Sequence, residues 1–129
     1  MTGARACTEE TAQVVALVEA FNQAFNRQDI EAVMALMADD CVFENTYPPP
    51  DGTRHVGWQA VRESFAGFFR SSPGASFETE EMVALGDRCA VRWRYRWGNH
   101  GGETGHVRGI DLFRVRDGKI TEKLSYVKG

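Results

Sequence analysis

The segment that constrains the fold most is residues 105–127, GHVRGIDLFRVRDGKITEKLSYV. Apolar residues alternate with charged ones on both sides of Asp117-Gly118, and this period of two predicts paired β-strands rather than a helix. Asp111 lies in the middle of the first strand, where a carboxylate costs free energy unless it is paired or functional. Asp111 is therefore the first candidate for a functional residue.

Two turns are compatible with this hairpin. A two-residue turn at Asp117-Gly118 would pair Arg116 with Lys119, whereas a three-residue turn with Gly118 in the left-handed conformation pairs Val115 with Lys119. We favour the three-residue turn, because aspartate suits the bridge position of a type I turn and glycine suits the bulge that follows it.

The three-residue turn also predicts which residues share a face of the sheet. It pairs Asp111 with Lys123 and alternates the side chains on either side of them. One face would carry Val107, Gly109, Asp111, Phe113, Val115, Lys123, Ser125 and Val127. The other would carry Arg108, Ile110, Leu112, Arg114, Ile120, Glu122, Leu124 and Tyr126. Both faces are partly apolar, so we expect one to meet the chain's own helices and the other a second copy in a homodimer.

Size and composition limit the remaining possibilities. The chain has 129 residues, of which 43% are apolar and 26% charged, which predicts one globular domain over residues 9–129 after a flexible tail, residues 1–8. The net charge of −3 argues against a nucleic-acid partner. No apolar run approaches the ~18 residues of a transmembrane helix, and no signal-peptide core is present, which favours a cytoplasmic protein without a membrane partner.

Three helices are predicted in the first half of the chain from apolar residues at three- and four-residue spacing. The first begins at a cap on Thr8 and carries Val14, Leu17, Val18, Phe21 and Phe25. The second begins at a cap on Asp29, carries Ile30, Val33, Met34 and Met37, and ends at residues 38–40. The third begins at about Gly57 and carries Trp58, Val61, Phe65, Phe68 and Phe69.

Strands are predicted around and after these helices. A short strand spans residues 41–45 and is followed by a stiff proline-rich loop, residues 46–54. Residues 77–85 and 88–97 form a hairpin around Gly86-Asp87, and a glycine-rich loop, residues 98–105, leads to the last hairpin. In the strand of residues 88–97, one face carries Cys89, Val91, Trp93, Tyr95 and Trp97, and the other face carries the arginines. The prediction is an α+β fold, a cone-shaped, curved, mostly antiparallel sheet wrapped around three helices, with a cavity at its open end.

Three segments carry a resemblance to a known family: DIEAVMALMADDCVFEN, GWQAVRESFAGFF and RGIDLFRVRDGKITEKLSY. The chain resembles the SnoaL-like branch of the nuclear transport factor 2-like (NTF2-like) superfamily over residues 9–127. The resemblance implies the same cone-shaped fold. It leaves function open, because the superfamily includes enzymes, binding proteins and scaffolds.

Two enzyme families of this fold allow a comparison by residue. The aspartate in the PIDHF motif of ketosteroid isomerase matches Asp111, but the base of that family falls on Asn45 and its tyrosine on Phe21. An amide cannot abstract a carbon-bound proton, and phenylalanine cannot donate to an oxyanion. That isomerase mechanism is therefore not predicted here.

Limonene epoxide hydrolase resembles the chain at FENTYPPP, where Asn45 matches the asparagine that helps to hold the attacking water. Its tyrosine falls on Phe43, its Arg-x-Asp pair on Trp93 and Tyr95, and its last aspartate on Ser125, so the charge relay is missing. The SnoaL-like polyketide cyclases are aldol-type catalysts with an acid–base aspartate in the cavity, a role open to Asp111.

The predicted site is an apolar cavity with a few convergent polar groups. The predicted catalytic residues are Asp111, Asn45 and Lys123. The predicted ligand-binding residues are Phe21, Phe43, Tyr47, Trp58, Phe65, Trp93, Tyr95 and Ser125. Structural alternatives remain open: Asp111 paired with Lys123 as an ion pair, Asn45 bonded to backbone groups, and the aromatic residues as core.

Other residues suggest no cofactor. His55, His100 and His106 lack the spacing of metal ligands, and Cys7, Cys41 and Cys89 have no CxxC spacing and read as free thiols. The sequence therefore favours a cofactor-free acid–base enzyme of isomerase, cyclase or hydrolase type that acts on a small hydrophobic molecule. The alternatives are a non-catalytic binding module and a dimeric scaffold that uses the outer face of the sheet.

Overall fold

The computed structural model describes the backbone of residues 2–98 and 104–129 and the side chains of residues 9–97 and 104–129. Within these residues the chain forms three helices and six strands. In chain order they are α1 (Thr2–Asn26), α2 (Ile30–Ala35), β1 (Met37–Glu44), β2 (Arg54–Val56), α3 (Trp58–Ser71), β3 (Ser76–Leu85), β4 (Arg88–Gly98), β5 (Thr104–Arg116) and β6 (Lys119–Val127). The short strand β2 is the one element of this order that the sequence did not predict.

The strands form one curved, open sheet in the order β2-β1-β6-β5-β4-β3. β1 runs parallel to β6, and the other neighbouring pairs of the described strands are antiparallel. α1 contacts β3 and β4, α3 contacts β1, and both helices contribute to the same buried core. The predicted α+β fold, with three helices against a mostly antiparallel curved sheet, is confirmed.

The core lies between α1, α3 and the inner face of the sheet. Phe21 of α1 is 1% exposed, and its ring meets those of Phe65 and Phe113 at centroid distances of 6.0 and 5.5 Å. Edge-to-face contacts between buried rings add to the stabilisation gained by removing apolar surface from water. Through this cluster, α1 and α3 both pack against the middle of the sheet.

The hairpin of β5 and β6 turns in two residues, so the predicted three-residue turn is wrong. Asp117 and Gly118 both have positive φ, 52° and 74°, and Arg116 pairs with Lys119. These are the features of a type I′ turn, whose twist matches that of the paired strands. The better match of twist outweighs the cost of a left-handed aspartate, a residue that tolerates this conformation better than most.

A bulge in β6 then shifts the register by one residue. Arg114 pairs with Glu122 whereas Val115 pairs with Ile120, which leaves Thr121 as the extra residue. Ile120 and Thr121 are both buried, so Ile120 lies in the core and the prediction that it faces outward is wrong. The bulge explains the difference, because it disrupts the strict alternation of side chains.

The two-residue turn and the bulge each shift the register by one residue, and together they change the partner of Asp111. Asp111 pairs with Ser125, and Lys123 pairs with Phe113, so the predicted pairing of Asp111 with Lys123 is wrong by two residues. A shift of two residues leaves each side chain on its predicted face, because the side-chain period of a strand is two. Asp111 and Lys123 are each 7% exposed, and they are diagonal neighbours on the inner face.

The hairpin of β3 and β4 follows its prediction. Leu85 pairs with Arg88 across a two-residue turn. The alternate positions Cys89, Val91 and Trp93 of β4 are buried. On the outer face, Arg92 and Arg96 of β4 form ion pairs with Glu81 and Glu78 of β3.

Two segments predicted to be irregular are partly regular. α1 begins at Thr2 rather than at the predicted cap on Thr8, so residues of the predicted tail have helical backbone. The predicted glycine-rich loop is shorter as well, because β4 extends through Gly98 and β5 begins at Thr104. The centre of that loop, residues 99–103 with His100, lies outside the described residues.

The second helix is shorter than predicted. Its cap is correct, since Asp29 Oδ1 accepts a hydrogen bond from the Ala32 N–H at 3.1 Å. The helix ends at Ala35, however, and Met37 already belongs to β1, where it pairs with Ile120 of β6. Recruitment of this segment by the parallel partner strand overrides its helical spacing, as tertiary contacts often do.

The described cysteines are buried free thiols. Cys41 and Cys89 are 0% and 2% exposed, and neither forms a disulfide. Burial raises the pKa of each thiol to about 11, because the apolar surroundings disfavour the thiolate. The side chain of Cys7 lies outside the described residues. Within the described part of the chain, no helix combines the length and apolar character needed to cross a membrane.

Candidate functional site

A cavity of about 540 Å³ opens between the inner face of the sheet and the helices α1 and α3. Its apolar wall consists of Phe25, Phe43, Phe65, Phe68, Phe77, Trp93, Tyr95, Val107 and Val127. Its polar groups come from Asn45, Thr46, Tyr47, Ser64, Ser71, Asp111, Lys123 and Ser125. The volume and the mainly aromatic wall are typical of a small-molecule site, for which ~300–1,000 Å³ is usual.

Three polar side chains of β5 and β6 form a closed polar ring on the cavity wall. The Ser125 hydroxyl donates to Asp111 Oδ1 at 2.6 Å, and the Lys123 ammonium group donates to Ser125 Oγ at 3.2 Å. Lys123 Nζ also lies 3.4 Å from Asp111 Oδ2, and each of these two side chains is 9% exposed. Each oxygen of Asp111 therefore has a partner, as a buried charge requires.

Aromatic rings surround the ammonium group of Lys123. Its Nζ lies 4.7 Å from the ring centroid of Phe43, 5.6 Å from that of Phe25 and 5.9 Å from that of Phe65. Cation–π contacts of this length favour a positive charge at that point. With Asp111 Oδ2 only 3.4 Å away, Lys123 offers no unneutralised charge to a ligand.

Asn45 shapes the loop at the mouth of the cavity. Its Oδ1 accepts hydrogen bonds from the backbone N–H groups of Tyr47 and Thr53, at 3.3 and 2.8 Å. Gly52 approaches the Asn45 carbonyl so closely, at a φ of +73°, that a Cβ would overlap it. The amide oxygen is therefore engaged by the loop, and only the Nδ2 hydrogens remain to serve a ligand.

Most of the predicted site residues line the cavity. They are Phe43, Asn45, Tyr47, Phe65, Trp93, Tyr95, Asp111, Lys123 and Ser125. Phe21 does not line the cavity, because it is buried in the core one turn before Phe25. Trp58 lies outside as well: its indole N–H donates to the Met34 carbonyl at 3.2 Å. The cavity residues of α3 begin at Ser64, and six residues of helix place them about 9 Å farther along the axis.

Several cavity residues were not predicted as part of the site. Phe25, Phe68 and Phe77 contribute three of its aromatic side chains, and Ser64 and Ser71 contribute hydroxyl groups from α3. Phe25 and Phe68 belong to the predicted apolar faces of their helices, so the signal was present. The apolar spacing of a helix does not show, however, where along its axis the cavity opens.

Trp93 depends on a glycine for its place in the cavity wall. Gly109 of β5 pairs with Trp93 of β4, and a Cβ at Gly109 would overlap both the indole ring and the Tyr126 carbonyl. The Phe77 ring stands nearly perpendicular to the indole, with centroids 5.4 Å apart. The ring is therefore held between a bare stretch of backbone and an aromatic side chain.

We expect Gly109→Ala to destabilise the protein by ~1–3 kcal/mol, the usual cost of forcing extra volume into a packed site. Urea denaturation followed by circular dichroism measures this free energy of unfolding. Gly67→Ala in α3 is the matched control, because its Cβ would meet only the end of Arg70, at 3.7 Å. We expect Gly67→Ala to raise the free energy of unfolding by up to about 1 kcal/mol, because alanine is preferred over glycine inside a helix. Equal effects of the two substitutions would contradict the tight contact at Gly109.

The two histidines within the described residues lie on different strands and have different neighbours. His55 of β2 stacks on Phe43 with ring centroids 5.9 Å apart, and His106 of β5 lies 3.3 Å from the Arg108 guanidinium. Among the side chains of residues 9–97 and 104–129, no three of His, Cys, Asp or Glu form a group that could hold a metal ion.

Known proteins share this sequence pattern and fold. Residues 18–123 match the family described as the SnoaL-like domain, and no curated protein matches the chain. An NTF2-like protein of unknown function from Mesorhizobium loti is 41% identical, with 93% of this chain and 94% of that chain covered and a TM-score of 0.78. A candidate polyketide cyclase from Xanthomonas campestris is 26% identical, with 92% and 93% covered and a TM-score of 0.73.

A more distant structure extends the likeness in fold. A candidate ketosteroid isomerase from Kribbella flavida is 19% identical, with 93% of this chain and 81% of that chain covered and a TM-score of 0.77. At that identity the likeness concerns the fold alone. The family match, by contrast, spans most of this sequence, from the second half of α1 to the middle of β6. With the NTF2-like resemblance thus confirmed, the chain belongs to the SnoaL-like domain family.

Proposed function

We propose that this chain is a cofactor-free acid–base enzyme that acts on a small, mostly apolar molecule in the cavity. The observation that carries the proposal is the polar ring, because it presents a buried carboxylate on a wall that is otherwise mainly aromatic. An ionisable group in a concave apolar site is a common arrangement for proton transfer. Asp111 is the group that we propose accepts and returns the proton.

The proposed reaction begins with loss of a proton from a carbon next to a carbonyl group. The C–H bond breaks, Asp111 takes the proton, and the electron pair moves into the carbonyl to form an enolate. Where the enolate is conjugated with a carbon–carbon double bond, return of the proton from Asp111 to the far end of that conjugated system completes an isomerisation. Alternatively, the enolate carbon attacks a second carbonyl to form a C–C bond, and the resulting alkoxide takes the proton from Asp111, which completes an aldol-type cyclisation. The name of the Xanthomonas relative, a candidate polyketide cyclase, supports this second outcome.

The neighbours of Asp111 have supporting roles in this proposal. Ser125 donates a hydrogen bond that holds the carboxylate in one orientation. Lys123 donates to Ser125 Oγ and balances the charge of Asp111 as its ion-pair partner. Asn45 offers Nδ2 hydrogens near the mouth, since its oxygen is engaged by the loop. A hydrolase of the epoxide-opening type is less well supported, because Trp93 and Tyr95 stand where that family has its charged relay.

Deuterium exchange tests the proposal without knowledge of the natural substrate. The protein is incubated in D₂O with a panel of small ketones that includes the bicyclic ketone 1-tetralone, and uptake of deuterium at the carbon next to the carbonyl is followed by NMR. We expect exchange above the buffer rate for at least one ketone that binds. Binding without exchange across the panel would support the alternative, a non-catalytic binding module.

We also propose that two copies associate through the outer face of the sheet. Ile110, Leu112 and Tyr126 are 41%, 39% and 57% exposed there, and Ile110 pairs with Tyr126 across β5 and β6. A contiguous apolar patch of this kind is uncommon on a monomer.

Light scattering at micromolar concentration should give twice the mass of one 14.4 kDa chain. We expect Leu112→Glu to reduce this mass to that of one chain, because the substitution puts a charge in the centre of the patch. Leu85→Glu is the control, since Leu85 is also exposed but lies at the turn between β3 and β4. A single-chain mass for the unmodified protein would contradict the dimer.

A further inference from the structure

The indole nitrogen of Trp93 is a buried donor without a partner. The residue is 6% exposed, and among the described residues no group accepts a hydrogen bond from its Nε1. Buried indole N–H groups usually have a partner, because an unmade hydrogen bond costs free energy. Trp58 follows that rule, since its N–H donates to the Met34 carbonyl at 3.2 Å. The unpaired nitrogen of Trp93 is therefore an exception that needs a reason.

The position of Trp93 supplies that reason, because the residue forms part of the cavity wall. In the sheet, Trp93 pairs with Gly109, and Asp111 lies two residues farther along β5. Two residues of a strand span about 7 Å. One small molecule can therefore contact Trp93 and the polar ring at the same time.

The chemistry of the cavity wall limits the class of ligand that can bind there. An indole N–H only donates, so the ligand must bring an acceptor such as a carbonyl or hydroxyl oxygen. A carboxylate is disfavoured, because Lys123 is already neutralised by Asp111 at 3.4 Å and a charge buried without a partner is costly. The aromatic wall favours a flat apolar body, since ring faces pack well against each other.

We propose that Trp93 Nε1 is the donor that binds the oxygen of an uncharged, flat, carbonyl-bearing ligand in this cavity. The inference rests on the proposed function only in assuming that the ligand binds in this cavity, and it does not require that the protein is a catalyst. Solvent does not reach the nitrogen in the free protein. A ligand therefore reaches the nitrogen only when the cavity wall around it shifts, and formation of the hydrogen bond reports that the cavity is occupied.

The test compares 1-tetralone with tetralin, which has the same bicyclic skeleton but a methylene group in place of the carbonyl. The chain has three tryptophans, so a ¹⁵N–¹H spectrum resolves three indole signals that single Trp→Phe variants assign. We expect 1-tetralone to shift the Trp93 signal downfield, as a new hydrogen bond does, while tetralin does not. The Trp58 signal is an internal reference, because its N–H is already bonded to Met34.

Affinity gives the second readout. Trp93→Phe keeps an aromatic wall but removes the donor, and we expect it to weaken 1-tetralone binding by about tenfold while tetralin binding changes little. Trp97→Phe is the matched control, because Trp97 is 42% exposed and does not line the cavity.

Three results would overturn the assignment: an unshifted Trp93 signal in the 1-tetralone complex, an unchanged affinity in Trp93→Phe, or no binding of 1-tetralone at millimolar concentration. A shifted Trp93 signal without deuterium exchange leaves the assignment standing and rejects the proposed catalysis instead.

Discussion

Asp111→Asn should lower turnover by ~10²–10⁴-fold, the usual loss when a general acid or base is removed. The expected loss is in kcat, because asparagine keeps the shape of the side chain but cannot take a proton from carbon. The measurement is the initial rate with the ketone that exchanges fastest in D₂O. It is made at a temperature at which circular dichroism shows the variant to be folded, since the substitution also leaves Lys123 without its counter-charge.

Glu122→Gln is the matched control for this prediction. It removes a carboxylate from the same hairpin, but Glu122 is the partner of Arg114 on the outer face, at 3.5 Å, and we expect it to leave turnover unchanged. Full activity in folded Asp111→Asn would remove Asp111 from the mechanism. A variant that binds 1-tetralone normally but no longer exchanges its protons would separate the chemical role of Asp111 from any role in binding.

The elements of this fold were predictable where local patterns dominate. The alternation in β4 gave its buried face, and Asp29 gave the start of α2, because a strand period and a helix cap depend on neighbouring residues. The turn at Asp117-Gly118 was not predictable in this way. Its type follows from the twist of the folded hairpin. The bulge at Thr121 was not predictable either, because it turns Ile120 into a core that forms only when the helices pack on the sheet.

The residues of the candidate site were likewise predictable only in part. Asp111 and Lys123 were assigned to the inner face correctly in spite of a wrong register, because an error of two residues preserves the side of the sheet. Phe21 and Trp58 were assigned to the cavity from their apolar helix faces, and both lie elsewhere. Helical spacing reveals which side of a helix faces the sheet. It contains no information about where along the axis the packing opens into a cavity.

The second large effect that we expect is on stability, from Lys123→Met. Methionine fills a similar volume among Phe25, Phe43 and Phe65, but it removes the charge that faces Asp111. Loss of one partner from a buried ion pair typically costs ~3–5 kcal/mol, because the remaining charge stays buried without compensation. Urea denaturation measures the change. Lys128→Met near the exposed C-terminus is the control, and should stay within about 0.5 kcal/mol of the unmodified protein.

The double variant Asp111→Asn, Lys123→Met shows whether the uncompensated charge is the cause. The Ser125 hydroxyl can still donate to an amide oxygen at position 111, so no uncompensated charge would be left in the polar ring. We therefore expect the double variant to be more stable than Lys123→Met alone, a non-additivity typical of residues in direct contact. It should nevertheless lack turnover, because it has no proton acceptor at that position. Recovery of stability without recovery of activity would separate the two roles of the ring. A double variant no more stable than Lys123→Met would instead attribute the loss to packing among the phenylalanines.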